Sequence, residues 1–255
     1  MVGQTFDQLT ENTEFMSFLT EFLNQAVDAA NEQKNTEQTD QSWDLDKIRK
    51  WLLEIHLTEE DNIDDFIRRS ISFDKDGNIV FIGGFPLDSL DLSSLPPNLF
   101  TVLGILDINN NPNLKSLPEA LGRVSDLRCN NCGLEALPPG LVVERKLICD
   151  NNNLQTLPLG IKEVTHLSCK NNKLKELPPF TKVVKKLDCS GNELDALPNE
   201  LDVWALDCRD NPLKNLLMDL FVSGTLIISE TISDHVRQQI EQMVKNEQIA
   251  DVQYV

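Results

Sequence analysis

Apolar and polar positions recur on two different periods along this chain. Residues 127–223 repeat about every twenty positions, as "LRCNNCGLEALPPGLVVERK", "LICDNNNLQTLPLGIKEVTH", "LSCKNNKLKELPPFTKVVKK", "LDCSGNELDALPNELDVWA" and "LDCRDNPLKNLLMDLFVS". A copy with an extra loop residue, "LDINNNPNLKSLPEALGRVSD", precedes them, and a degenerate one around "LDLSSLPPNLFTVLGI" precedes that. The shared pattern is L-x-C-x-x-N-x-L-x-x-L-P. Self-similarity on such a period marks a solenoid, in which each unit is one supersecondary turn stacked on the next.

Within each unit the side chains alternate as they do along a strand. The first Leu and the Cys two places on point inward: Leu127/Cys129, Leu147/Cys149, Leu167/Cys169, Leu187/Cys189 and Leu206/Cys208. Parallel strands then stack about 4.8 Å apart. Each Leu gains about 2 kcal/mol on burial, but only where a neighbouring turn covers it. The stack therefore folds where a single turn would not. The unit is too short for a full helix after the strand, and "LP" at 117–118, 137–138, 157–158, 177–178 and 197–198 sets an extended outer connection. This pattern matches the leucine-rich-repeat template. The expected fold class is an α/β solenoid, a leucine-rich-repeat horseshoe with short repeats and a parallel β-sheet on its concave face.

The helical period belongs to the flanks. Phe15, Phe18, Leu19, Phe22, Leu23, Ala26 and Val27 predict one amphipathic helix, and a polar linker follows over 31–42. Ile48, Trp51, Leu52 and Ile55 predict a second helix. Thr58 opens a third, containing Ile63, Phe66 and Ile67, with Asp61 placed as in a capping box. "ISFDKDGNIVFI" predicts a hairpin turning at Asp76-Gly77. A calcium loop there would need the EF-hand length and its closing Glu, which are missing. After the repeats, "TLIIS" predicts a strand and residues 233–245 a helix. The last unit loses its Pro, as an atypical terminal unit does. The expected organisation is a helical N-terminal cap with hairpin over 1–78, repeats over 79–223, and a small C-terminal cap, strand plus helix, over 224–255.

Charge narrows the partners. The formal net charge is −18, and residues 1–66 hold Lys34, Lys47, Arg49 and Lys50 against sixteen acidic residues. Such a balance repels phosphate backbones and anionic headgroups, so neither nucleic acid nor membrane is an expected partner. A solvated helical surface accounts for the acidity; an acidic face for a basic protein is the other reading. No apolar run approaches the ~20 residues that span a bilayer. The first residues have no basic n-region or apolar h-region, so no secretory signal peptide is expected.

Cys129 and Cys132 form a C-x-x-C spacing that suggests metal or redox chemistry. The repeat supplies another account. Five of the cysteines share one inward position, where thiols act as small hydrophobes. Cys132 stands where later units have Asn152, Asn172, Asn192 and Asn211. A zinc site would need four N or S ligands, and no second pair or histidine lies at a suitable spacing. Unpaired buried thiols also fit a reducing compartment. His56, His166 and His235 fall in different elements without a nucleophile beside them, and no phosphate loop, dinucleotide fingerprint or H-E-x-x-H occurs. The expectation is no catalytic residue, no metal and no cofactor.

What remains is binding. The outward strand positions form three columns: Ile105, Asp126, Lys146, His166, Lys186 and Ala205; then Asp107, Arg128, Ile148, Ser168, Asp188 and Asp207; then Asn109, Asn130, Asp150, Lys170, Ser190 and Arg209. The candidate partner-binding residues are Asp126, Arg128, Lys146, Ile148, Asp150, His166, Ser168, Lys170, Lys186, Asp188, Asp207, Arg209 and Trp204. A basic strip of Lys146, Lys170 and Lys186 lies beside His166. Mixed charge suits a protein with a patterned surface, and a merely solvated strand face is the plainer account. Trp204 is either an exposed aromatic anchor or packing beneath the C-terminal cap.

The short units with "LxxLP" resemble the LPX-type leucine-rich-repeat effectors of pathogenic bacteria, the group with YopM-like and IpaH-like proteins. The resemblance covers residues 79–223. Intracellular bacteria of the Legionella kind carry similar short-repeat effectors, and a helical N-terminal cap fits the group. The stretch "SETISDHVRQQIEQMVKNEQIADV" is loosely similar to glutamate-rich export signals; a surface capping helix accounts for it equally. The resemblance implies a protein delivered into the host-cell cytoplasm without a signal peptide, or otherwise resident in the bacterial cytoplasm. It implies a non-catalytic module that occludes or recruits a host protein or a co-delivered effector enzyme on its concave face. An adaptor for a host ubiquitin ligase is the alternative, and would require a docking motif in residues 1–78. An enzyme with an unrecognised active site is the remaining reading. IpaH-like proteins carry a ligase domain with a catalytic cysteine; only about thirty residues without cysteine follow the repeats here, so that activity is not carried over.

Overall fold

The computed structural model describes residues 42–57, 62–161, 163–178, 182–216 and 219–255. The chain divides into Met1–Gln41 and Ser42–Val255. The helix predicted over 15–27 and nearly all of the 31–42 linker lie outside the described residues, as do Thr58 and Asp61.

Residues 42–255 form a β-solenoid of stacked parallel strands with about twenty residues per turn, set by registers such as Leu127↔Leu147 and Leu147↔Leu167. The elements are α1 Leu45–Glu54, α2 Ile63–Ser70, β1 Ile71–Phe73, β2 Ile79–Ile82, β3 Phe85–Pro86, β4 Leu99–Asp107, β5 Arg123–Arg128, β6 Val142–Ile148, β7 Glu163–Ser168, β8 Lys182–Asp188, β9 Asp202–Val203, β10 Ala205–Asp207, β11 Phe221–Ile228, α3 Asp234–Lys245 and β12 Ile249–Tyr254. They build one sheet in the order β1-β2-β4-β5-β6-β7-β8-β10-β11-β12, with β3 on β4 and β9 on β11.

The two ends differ from the regular turns. Asp44 caps α1 by accepting from the Lys47 amide at 2.9 Å, and α1 buries Ile48, Trp51 and Leu52. Arg49 of α1 pairs with Asp64 of α2. Phe81 and Phe85 stack at 3.9 Å, and Trp51 meets Phe85 edge-on. Helix α2 spans Ile63–Ser70, with Asn62 at its N-cap making no side-chain bond. Fully buried Ile63 anchors that start, and Asp64 and Asp65 favour the helix N-terminus electrostatically. The predicted hairpin is β1–β2, antiparallel. Asp74 Oδ1 accepts from the Asp76 and Asn78 amides, each at 2.9 Å, and Oδ2 from Asn78 Nδ2. Both carboxylate oxygens thereby brace the turn.

At the other end, β11 starts before the expected 223/224 boundary and pairs parallel with both β10 and β12. The strand expected at "TLIIS" lies in β11, a rung of the sheet, and β12 adds one the periodicity did not reveal. Ser233 caps α3, which buries Val236, Ile240 and Met243.

Inside the turns, the Leu and Cys positions are buried as the alternation requires, with Leu127, Cys129, Leu147, Cys149, Leu187 and Cys189 fully covered. The recurring Asn serves the backbone. Asn172 Nδ2 donates to the carbonyls of Cys149 and Cys169, both at 3.0 Å, while its Oδ1 accepts from the Leu154 amide at 3.0 Å. Cys132 departs from this scheme: its thiol donates to the Ile108 carbonyl at 3.1 Å, but sulfur is a weak acceptor. The extra loop residue of the preceding turn resolves this, because the Leu114 amide bonds instead to the Asn111 carbonyl at 2.9 Å. Before each ladder position, Cys132 included, one residue sits at positive φ: Asn110 at 56°, Asn131 at 54°, Asn151 at 56°, Asn171 at 53°, Gly191 at 64° and Asp210 at 54°. Asn and Gly tolerate that conformation best.

The turns are not identical. Val102 and Val124 pair, as do Leu106 and Leu127, yet the first interval is one residue longer. The same surplus recurs in β6 against β5 and in β8 against β7. In β11 it lies between Val222 and Leu226, against Val203 to Leu206. Every second strand thus carries a β-bulge, which re-aims the side chains at that point.

Candidate functional site

The outward columns do lie on the solvent face of the sheet, but its charges are not equivalent. Asp126 is 3% exposed and Asp207 5%. Asp126 Oδ2 holds Arg145 Nη2 at 3.0 Å, and its Oδ1 has no hydrogen-bond partner. Asp207 is bidentate to Arg209, at 3.0 and 2.8 Å. Arg128 pairs with Asp107 at 3.4 Å. Asp150 Oδ1 accepts from Ser168 Oγ at 2.7 Å and from the Lys170 amide at 3.0 Å, and burial pushes its carboxyl above the ordinary range. Asp188 accepts from both Ser190 Oγ and the Ser190 amide. The carboxylates of this face are therefore bonded within it.

The lysines are not. Among the described residues, Lys146, Lys170, Lys185 and Lys186 take part in no ion pair, while Arg123, Arg128, Arg145 and Arg209 do. Lys170, Lys185 and Lys186 are exposed, and Lys146 is half-buried. His166 Nδ1 lies 3.1 Å from Thr165 Oγ1. Desolvation, reinforced by Lys146, Lys185 and Lys186, holds its imidazole below the usual histidine value. Half-buried Ile148 and Ser168 complete the centre of the face.

Fixed-interval columns missed two members, Arg145 and Lys185. Both are supplied by the bulges: Glu144 and Arg145 face the single Ser125, and Val184 and Lys185 face the single Thr165. The readable signal was the interval from Val to the following Leu, which is longer in β6 and β8.

Trp204 occupies the same single-residue place in the next turn as Ser125 and Thr165. It is 60% exposed, which removes the reading of it as packing beneath the C-terminal end. A Cβ at Gly224 would come within 3.0 Å of Cε2 and Nε1 of the indole and would run into the Trp204 carbonyl oxygen. The Cε2–Nε1 edge of the ring therefore lies over Gly224 of β11. Glycine at 224 is what lets it approach.

The C-x-x-C pair belongs to the interior. All six cysteines are free and buried. Burial raises the thiols of Cys129, Cys149, Cys169 and Cys189 well above their ordinary value and pushes Cys208 up to about 12. A thiolate nucleophile needs the opposite environment. Away from the sheet face, α3 and β12 border a shallow groove lined by Ile240, Val244, Val252 and Tyr254. Among the described residues no helix is long and apolar enough to cross a membrane. Comparison of the sequence with protein-family models gives no match, and comparison with curated proteins gives none either.

Proposed function

We propose that the chain is a non-catalytic protein-binding module. In this reading the solenoid is a leucine-rich-repeat horseshoe, its sheet lines the concave face, and α1, α2 and α3 cap its ends. Its working surface is the face formed by β5–β8 and β10, where it occludes or recruits one partner. The observation that carries this is the sorting of side chains: carboxylates are bonded internally while Lys146, Lys170, Lys185, Lys186 and Trp204 are presented unpaired. Polar groups already satisfied at home contribute little to association, whereas open cations and a rigid exposed aromatic are what an interface uses. The repeat resemblance adds the setting: a bacterial effector acting in a host cytoplasm or in the bacterial cytoplasm, on a host protein or a co-delivered effector enzyme.

Site-specific photo-cross-linking tests the reading. A photoreactive residue replaces Ser168 on the sheet face or, separately, Leu159, which is 71% exposed in the outer connection. Each variant is exposed to host-cell and bacterial lysates. A defined protein adduct from position 168 and none from 159 is the expected result. Adducts only from 159, or from neither, would overturn it.

A further inference from the structure

The middle of the sheet face is a cationic field on a strongly acidic chain. Strand β6 contributes Arg145 and Lys146, β7 contributes His166, the residue just beyond β7 contributes Lys170, and β8 contributes Lys185 and Lys186. The bulges double the cation density here, since β6 and β8 each present two successive basic residues where an unbulged strand would present one. Asp126 offsets Arg145, while Asp150 and Asp188 accept from Ser168 and Ser190 and keep their charge, so Arg145, Lys146, Lys170, Lys185 and Lys186 outnumber the acids among them. One strand further on, Trp204 precedes Ala205, which pairs with Lys186, and its exposed indole reaches over Gly224 of β11.

We propose that this field docks an acidic, extended segment of a partner protein, running across β6, β7, β8 and β10, with carboxylates on the lysines and one apolar side chain seated on Trp204. The proposal rests on the binding-module reading and deepens it by specifying the partner's chemistry. Three inter-strand steps at about 4.8 Å make a span of about 14 Å, which about five residues of extended chain cover. The charge is complementary at this field, while the net acidity of the chain disfavours an acidic segment elsewhere on it. The indole adds what lysines alone lack, an exposed aromatic surface packed over Gly224. His166 reports on the same field: the lysines that lower its proton affinity are those the acidic segment would neutralise.

The test uses the full chain and a fluorescein-labelled peptide of about ten residues, Glu and Asp alternating with Gly around one central Phe. Anisotropy is followed at about 0.02 M and about 0.2 M salt, where screening differs strongly. We expect binding that weakens with salt, no binding of the peptide with Gln and Asn in place of its acids, and a loss of at least about tenfold in the combined Lys146→Ser, Lys185→Ser, Lys186→Ser variant. Trp204→Ala should abolish the preference for the Phe peptide over its all-Gly version. Equal affinity for acidic and amide peptides, or full affinity in the triple variant, would overturn the proposal. So would tighter binding of phosphatidylserine vesicles or single-stranded DNA than of the peptide, which would assign the field to a different class of partner. If the peptide fails while position 168 still cross-links a protein, the inference falls and the binding-module reading stands; if both fail, both fall.

Discussion

Truncating the ladder asparagines should destabilise the solenoid in an order set by which carbonyls are shared. Asn152 Nδ2 donates to the carbonyls of Cys129 at 2.7 Å and Cys149 at 3.0 Å, and its Oδ1 accepts from the Leu134 amide. Asn172 makes the equivalent bonds one turn later. The Cys149 carbonyl thus has two donors, Asn152 and Asn172, and the Cys169 carbonyl has two, Asn172 and Asn192. Cys129 has one, because Cys132 bonds elsewhere. Asn172→Ala therefore orphans one buried group, the Leu154 amide, and leaves each carbonyl a remaining partner. Asn152→Ala orphans two, the Leu134 amide and the Cys129 carbonyl. Cys132→Ala orphans none, since Ile108 retains Asn111. At about 1–3 kcal/mol per orphan, and less for a lost second bond, the expected costs are about 3–5 kcal/mol for Asn152→Ala, about 2–4 for Asn172→Ala and about 1 for Cys132→Ala. Urea unfolding gives the order. Amide exchange locates it, with Leu134 speeding up in the first variant and Leu154 in the second. A Cys132→Ala loss as large as that of Asn152→Ala, or Asn172 costing more than Asn152, would refute the reasoning.

Three other perturbations are informative. Gly224→Ala forces a Cβ against the Trp204 carbonyl and indole; stability should fall by about 1–3 kcal/mol, with the Trp204 emission shifting red as the ring lifts off, and an unchanged melting curve would contradict the close approach. The His166 titration midpoint, followed by its ring-proton NMR signal, should lie below 6.5 in the free protein. Because the folded value is depressed, the unfolded chain binds the proton first as pH falls below 6.5. This site's contribution to stability is therefore complete above that pH and declines as pH drops toward the folded value. A midpoint at or above 6.5 would remove the lysine field as its neighbour. Finally, the thiols should resist an aromatic disulfide reagent in the native protein and all react once guanidinium unfolds it, since every cysteine is buried; fast native labelling of any cysteine would show an opening the packing does not predict.

The stacked core was legible because a twenty-residue interval carries its own register: once Leu127, Leu147 and Leu167 are aligned, period-two alternation sets which side chains enter the interior. The hairpin at Asp76-Gly77 and the helix capped by Ser233 were legible for local reasons, turn chemistry and capping. The site was half-legible. Lys146, Lys170 and Lys186 emerged from the columns, but Arg145 and Lys185 did not, because a column counted from the Leu assumes equal strands and a bulge inserts a residue upstream of it. Nor does alternation distinguish a free outward acid from one sealed by a neighbouring cation: Asp126 and Asp207 point outward and are nonetheless covered by Arg145 and Arg209. Strand β12 escaped because its residues alternate weakly and follow a helix, so only the unpaired edge of β11 calls for it. Trp204 needed the structure, since an aromatic before a strand reads equally as core or surface until Gly224 is seen beneath it.

The alternating bulge has a consequence for how such a chain can change length. Long strands face short ones: Val102–Leu106 and Val143–Leu147 against Val124–Leu127, Val183–Leu187 against Val164–Leu167, and Val222–Leu226 against Val203–Leu206. Excising one turn would bring two long or two short strands side by side and erase a bulge that its neighbours expect, creating a seam. Excising or duplicating two adjacent turns would leave every remaining junction as it was. The unit that can be added or removed without a seam is therefore the doublet, even though each turn looks complete in the sequence.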